Sequence, residues 1–409
     1  MKVYHSHVYC ALIKRSFVLS NNLHHIAADD EVYWSEIRDQ YTVSSEFINL
    51  ENGYFGVQAR PVFEAFQRYQ AQVNAETSYF LRVRYAPLFV QVMQALKDFC
   101  GVDEGELVLT RNLIEGMNIL LQGYPLQAGD EVVLATHDYD IVIDTLLMLE
   151  QRKQIQLRHL QLPLDPVSDE DIVARYEQAI TPKTKLILVT HVVHRTGQIM
   201  PVAKITAMAR RHGVDVMVDA AHSFAHLNYR MTELGADFVA VNLHKWLGVP
   251  LGVGLLYIRK NRVADIAPLF GNAKFADNEI FKFTQVGTVP PANVLTVLDA
   301  LKFHDSIGSA NKEARLRYLT QYWVNQVRDL PDVRIFTPTD PQRSCAIAGF
   351  GIAGNSGHAI VDYLMREHKI FTVTRELDGQ DIVRVTPHLY TSLEDLDKLV
   401  AAIRQLTQA

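Results

Sequence analysis

The chain has 409 residues, 48% of them apolar and 21% charged, with a net charge of −6. That length allows two or three domains of an ordinary globular protein. The absence of a Lys/Arg-rich block or an aromatic-interleaved basic patch excludes nucleic acid as an expected partner. No run of about 18 apolar residues offers a membrane span. Cys10, Cys100 and Cys345 are odd in number and irregularly spaced, which argues against a disulfide framework and for a cytoplasmic setting.

Residues 1–46 are polar and read as an N-terminal arm, in which 31–41 has the spacing of a short amphipathic helix around Trp34 and Ile37. KRSFVL at 14–19 looks like a twin-arginine signal, but the polar SNNLHH after it is no export segment. FINLENGYFG at 47–56 is a short apolar run with a Gly-bounded turn. Helical spacing follows at 61–69 and 87–99, with Arg82 and Arg84 between them as candidates to meet an anionic substrate.

Strand and helix patterns then alternate: strand 107–110, helix 112–123, strand 131–135, helix 140–150, strand 155–160, helix 169–179 and strand 185–190. Apolar runs at 214–218, 236–241 and 252–258 continue the series. The alternation predicts an α/β unit with a mostly parallel sheet flanked by helices, whose ligands gather at the strand ends. From residue 301 the pattern changes to a helix at 309–328, strands at 333–336 and 345–352, a helix at 358–367, strands at 370–374 and 382–385, and a last helix from Ser392. The expected organisation is therefore an arm (1–46), a large domain (47–300) and a small α+β domain (301–409).

Two strand ends hand over abruptly to polar groups. Asp219 and His222 follow the first, and Asn242, His244 and Lys245 the second. The helix start at Asn112, directly after a strand, is a natural anion site, because its free N–H groups and dipole favour negative charge. GFGIAG at 349–354 matches GxGxxG, but its first two glycines sit inside an apolar strand and too little chain follows for a dinucleotide fold. His191 and His194 form HxxH, and with His222 and His226, four apart on a possible helix, they invite a metal-dependent hydrolase as an alternative. No carboxylate spacing completes a metal motif, and that reading leaves Asp219 and Lys245 idle.

VDAAH at 218–222, NLHKWLG at 242–248 and VRVTPHLY at 383–390, in that order, resemble the aminotransferase class V family of pyridoxal-phosphate (PLP) enzymes, fold type I, and among them the isopenicillin N epimerase-like members. The resemblance implies a seven-stranded-type sheet, a Schiff base on Lys245 and an Asp219 carboxylate at the pyridine nitrogen. It implies Tyr139 stacked on the ring, His194 near the phenolic oxygen with Thr196 in the turn, and His222 reaching that oxygen or tuning Asp219. The phosphate would sit at Asn112, Leu113 and Ile114. A Thr is frequent there in the family, so binding here would lean on backbone N–H groups with Asn112 helping. Asn242 and His244 complete the cofactor set, and Thr288, in FTQVGTVPP, would reach the phosphate of a neighbouring subunit in a homodimer with shared sites.

For an amino-acid substrate, the resemblance assigns the carboxylate to Arg384, whose planar fork suits it, and offers Asn52 and Tyr54 as further contacts. Epimerase or racemase-like chemistry is the leading expectation, with Tyr54, His137 or a partner residue as the second acid. A C–S (β-elimination) lyase or an aminotransferase of the same family is the alternative, and a catalytically inactive binding protein is a further one. A desulfurase needs a mobile-loop cysteine, whereas Cys345 is expected inside an apolar strand, where a thiol is inert.

Overall fold

Residues 25–408 are described by a computed structural model; Cys10 and the KRSFVL segment lie outside the described residues. The helix Glu31–Arg38 begins at Asp30, whose side chain accepts from the Tyr33 N–H, and buries Trp34 and Ile37. It packs on its own chain: the buried Arg315 guanidinium donates to the Ala28 carbonyl at 2.9 Å and pairs with Glu31 at 2.5 Å. β1 (Ile48–Asn49) follows. The helical patterns expected at 61–69 and 87–99 belong to longer helices, Arg60–Tyr79 and Tyr85–Cys100, which a π-helical turn at Phe80–Arg84 joins.

β2 (Leu107–Thr110), β3 (Glu131–Ala135), β4 (Gln156–Leu160), β5 (Thr184–Thr190), β6 (Asp215–Asp219), β7 (Phe238–Asn242) and β8 (Gly254–Ile258) form one sheet in the order β2-β8-β7-β6-β5-β3-β4. Every residue of β3, β7 and β8 is buried, which is why these strands read as continuous apolar runs rather than alternating ones. β8 runs antiparallel to both neighbours and the remaining pairings are parallel. The C-terminal ends of β3, β5, β6 and β7 therefore share one edge. The strand order reverses between β3 and β5, and a crevice opens at such a point.

β9 (Val333–Ile335), β10 (Ala348–Ile352), β11 (Ile370–Phe371), β12 (Val373–Leu377) and β13 (Gln380–Val385) complete the strands. β12, β13, β10 and β9 make an antiparallel sheet in that order. Helices Ser309–Val327 and Leu393–Leu406 cover it, with Leu319, Trp323, Leu396 and Leu399 packed on Phe350 and Val383. The single strand expected at 370–374 is two, because Ile370 and Phe371 pair with β1 while Val373 starts the pairing with β13. The strand expected from Cys345 starts at Ala348, since the Ala346 N–H is taken by His226 Nε2 at 2.9 Å. Gly349 and Gly351 lie within antiparallel β10, so GFGIAG is no phosphate loop.

Candidate active site

A cavity of about 500 Å³ opens at the reversal point, large enough for a cofactor with its substrate. Its floor is the edge of the large sheet. Tyr139 follows β3, Thr190 ends β5, Asp219 ends β6 and Lys245 follows β7, and all four line the cavity. Asp138 fixes part of this floor: its buried carboxylate accepts from the Ala135 N–H at 2.8 Å and the Thr190 N–H at 3.1 Å, tying β3 to β5. Sequence reading passed over Asp138, although an Asp just past a strand end is a common acceptor for free backbone N–H groups.

Asp219 Oδ1 accepts from the Ala221 N–H at 2.9 Å. Burial pushes its pKa up to about 6, against the pull of that N–H and of Lys245. Lys245 is half-buried, and desolvation draws its pKa down to about 7 while Asp219 holds it up. Its Nζ lies 3.0 Å from His222 Nε2. The Trp246 indole N–H approaches His222 Nδ1 at 3.4 Å. An imidazole that accepts at Nδ1 carries its proton on Nε2, and burial beside Lys245 and Arg384 keeps that ring uncharged. His222 then donates to the lone pair of an uncharged lysine amine.

Asn242, at the end of β7, accepts the Leu113 N–H at 2.8 Å, and Asn112 caps the helix Leu113–Gly123 by accepting the Glu115 N–H at 2.9 Å. The Leu113 N–H, one of the groups expected to receive a phosphate, is thus held by a side chain, although Asn112, Leu113, Ile114, Asn242 and His244 all line the cavity. His194 also lines it, its ring edge-on to Tyr139 with centroids 5.2 Å apart. One lining residue, His194, carries a buried polar atom without a partner, its Nδ1.

The opposite wall comes from residues 51–56 and from β12 and β13. The Gly56 N–H donates to the His244 carbonyl at 2.9 Å, and a Cβ at Gly56 would overlap the Lys245 carbonyl oxygen. A Cβ at Gly53 would come within 2.6 Å of the Arg384 guanidinium. The two glycines let this segment lie flat across the site, with Tyr54 at the mouth, 70% exposed. Arg384 is buried and bound to Glu51, through Nη2 to Oε1 and through Nε to Oε2 at 3.3 Å, while Nη1 donates to the His194 carbonyl at 3.0 Å. Arg375 lines the cavity as well, 3.9 Å from Glu51 Oε1. Sequence reading singled out neither Glu51 nor Arg375. The signal for Arg375 was present: Asp378 and Gly379, both at positive φ, form the two-residue hairpin turn that Asp-Gly favours. That turn fixes a register setting Arg375 and Arg384 on one face.

Other candidates lie elsewhere. Asn52 is buried outside the cavity lining, donating to the Thr386 carbonyl and accepting from the Tyr390 hydroxyl. Thr196 is buried and accepts from the Gln198 N–H. Thr288 is exposed and away from its own chain's cavity. His137 sits 3.1 Å from Asp378 and does not line the cavity. Arg82 and Arg84 are exposed on the π-helical turn, Arg84 paired with Glu76 at 2.6 Å. His222 and His226 lie in a series of turns, not the helix considered for them, and His226 Nδ1 approaches the His222 carbonyl at 2.6 Å. Among the described residues no group of three or more His, Cys, Asp or Glu side chains is placed to hold a metal ion, which leaves the hydrolase alternative without a donor set. Cys345 is buried and its thiol pKa is raised by burial.

The family model for aminotransferase class V matches residues 58–399. Isopenicillin N epimerase of Streptomyces clavuligerus is 27% identical over 391 residues, covering 91% of this chain and 98% of the relative. A probable cysteine desulfurase of Vibrio cholerae serotype O1 is 24% identical over 405 residues, covering 90% and 97%. The solved complex of the cystine C–S lyase C-DES with its product cysteine persulfide superposes with a TM-score of 0.80 at 25% identity, covering 88% of this chain and 97% of that one. The expected fold, PLP-dependent transferase fold type I with a mostly parallel sheet, is the one observed. The chain belongs to the aminotransferase class V family, whose cofactor is pyridoxal phosphate.

Proposed function

We propose that this protein is a PLP-dependent enzyme acting on an amino acid or amino-acid-derived substrate, with Lys245 as covalent anchor and base and with epimerase or racemase-like chemistry. The observation that carries the reading is the Lys245 amine 3.0 Å from His222 in a cavity shared with Asp219, with its pKa drawn down by desolvation. The cavity fits the cofactor: His194 supplies a buried polar atom without a partner, and buried polar groups are normally satisfied. When bound, PLP supplies an aldehyde for Lys245 and a ring that accepts the electrons of a bond broken at the substrate's α-carbon.

This chain's residues would do the rest. Asp219, fixed by the Ala221 N–H, would hold the proton at the ring nitrogen. Lys245 Nζ, whose pKa is drawn down to about 7, would be the amine that anchors the aldehyde and the base that takes the α-proton. His222, uncharged, would steady that amine through its Nε2–H, and Tyr139 and His194 would bound the ring. Gly56 holds residues 51–56 against the backbone of His244 and Lys245. Epimerisation needs a proton returned from the opposite side, and the Tyr54 hydroxyl at the cavity mouth supports that assignment.

The C–S lyase reading is the second one, favoured by likeness to C-DES at 25% identity; the buried Cys345 thiol disfavours a persulfide-forming desulfurase. The exposed Thr288 supports a homodimer in which it reaches the partner's phosphate site. A monomer that binds PLP normally would contradict that. The scattered cysteines support a cytoplasmic location, and no described helix is long and apolar enough to cross a membrane. The deciding assay incubates the PLP-loaded protein with L-amino acids and cysteine conjugates. The D-isomer supports epimerisation, pyruvate the lyase, and a keto acid with amine transfer the aminotransferase.

A further inference from the structure

We infer that Glu51 sets how tightly the site holds a carboxylate, by neutralising Arg384 so that the cluster offers the cavity the charge of one guanidinium rather than two. The inference rests on reading this cavity as an amino-acid site, and it assigns Glu51 a role as a positioning and affinity-setting residue that does not itself touch substrate.

Three charged groups meet at this wall. Arg384 and Arg375 line the cavity, and Glu51 does not. The Glu51 carboxylate holds the Nε and Nη2 of Arg384 from behind, and the same Oε1 lies 3.9 Å from an Arg375 nitrogen. The side chains of Glu51 and Arg384 are 4% and 2% exposed, so water screens their pairing little. Arg375, at 30%, is the more accessible cation. The other charged pair at this end, Arg195 with the cavity-lining Asp140, is already balanced. The surplus at this wall is therefore one positive charge, shared by two guanidiniums that β12 and β13 present on one face.

Electrostatics then gives the substitutions opposite signs. Glu51→Gln keeps the shape and one acceptor for Arg384 but removes the opposing charge, so a carboxylate in the cavity meets two uncompensated guanidiniums. At separations of several ångströms in a partly buried site, one unit charge changes binding by about tenfold or more. Arg375→Gln leaves Arg384 and Glu51 cancelling each other. A purely structural Glu51 would show the reverse for its own substitution, because losing a buried partner loosens Arg384 and weakens binding.

The test is calorimetric titration of the PLP-loaded protein with propionate, a carboxylate without an amine, and with propionamide as its uncharged control. Glu51→Gln is expected to tighten propionate at least about tenfold and leave propionamide unchanged. Glu51→Asp, which keeps the charge, should stay near the parent protein. Arg375→Gln should weaken propionate by a similar factor, and because Arg375 is partly exposed this variant serves if Glu51→Gln does not fold. Unchanged or weaker propionate binding in Glu51→Gln, or unchanged binding in Arg375→Gln, overturns the inference. Failure to gain a visible band with PLP would instead count against the proposed function, and the propionate titration would still read the cluster.

Discussion

The two walls of the cavity are built in different ways. The floor, with Tyr139, Asp219, His222 and Lys245, is made of residues delivered by the ends of parallel strands, and its charges are desolvated: Asp219 is pushed up to about 6 and Lys245 down to about 7. The facing wall joins residues more than 300 positions apart, Glu51 with Arg384 and Asn52 with Thr386, and its buried charges are paired. A desolvated charge is ready to change protonation or to bond, whereas a paired one is ready to hold shape. The floor accordingly suits chemistry, and the wall suits recognition.

The largest break in that contrast should come from Lys245→Ala, which removes the proposed cofactor anchor: the visible band formed with PLP should be lost altogether, while the fold, monitored by circular dichroism, should persist. Asp219→Asn should retain PLP and lose about 10²–10³-fold in turnover, on the scale of deleting one preorganised charge contact. Steady-state kinetics at saturating PLP reads this, and full activity would remove Asp219 from the ring nitrogen. On the wall, Arg384→Ala strands the buried Glu51 carboxylate and should cost about 3–5 kcal/mol in denaturant unfolding, most of it recovered in the Glu51→Gln, Arg384→Gln double variant. A smaller change alone would mean that Glu51 finds another partner.

Finer effects separate the walls further. Gly56→Ala drives a methyl into the Lys245 carbonyl and should cost about 1–3 kcal/mol, as well as slowing PLP uptake. Gly53→Ala meets the tip of Arg384 instead and should chiefly weaken carboxylate binding. Equal effects of the two on PLP uptake would blur the distinction. The gentlest probe is pH. Because burial lowers the Lys245 pKa from 10.5 to about 7, its uncharged fraction grows as pH rises through 7. The rate of PLP uptake should climb there and level off, where an ordinary lysine would keep gaining to above pH 10. The same shift means the folded state binds fewer protons between those values, so this group's contribution to stability falls as pH drops from 10.5 toward 7.

Legibility in the sequence follows the same division. Strand ends and the polar residues just past them are local in sequence, so Asp219, His222, Asn242, His244 and Lys245 could be read from two short stretches, and the large sheet from apolar runs that need burial on both faces. The wall depends on pairings that no local pattern announces. Glu51 sat inside a quoted motif without a visible partner, Asn52 looked like a substrate contact until its amide proved committed to Thr386 and Tyr390, and Arg375 needed the Asp-Gly turn to be carried through to its register. Boundaries shifted where one long-range bond intervened, as at Ala346, whose N–H is taken by His226.

The central claim is that Lys245 bonds the cofactor. Its most direct test is borohydride reduction of the PLP-loaded protein followed by peptide mass mapping. The account predicts loss of the visible band and a single reduced pyridoxyl adduct on the peptide that contains Lys245. An adduct on another lysine, or no adduct at all with PLP in excess, would contradict it.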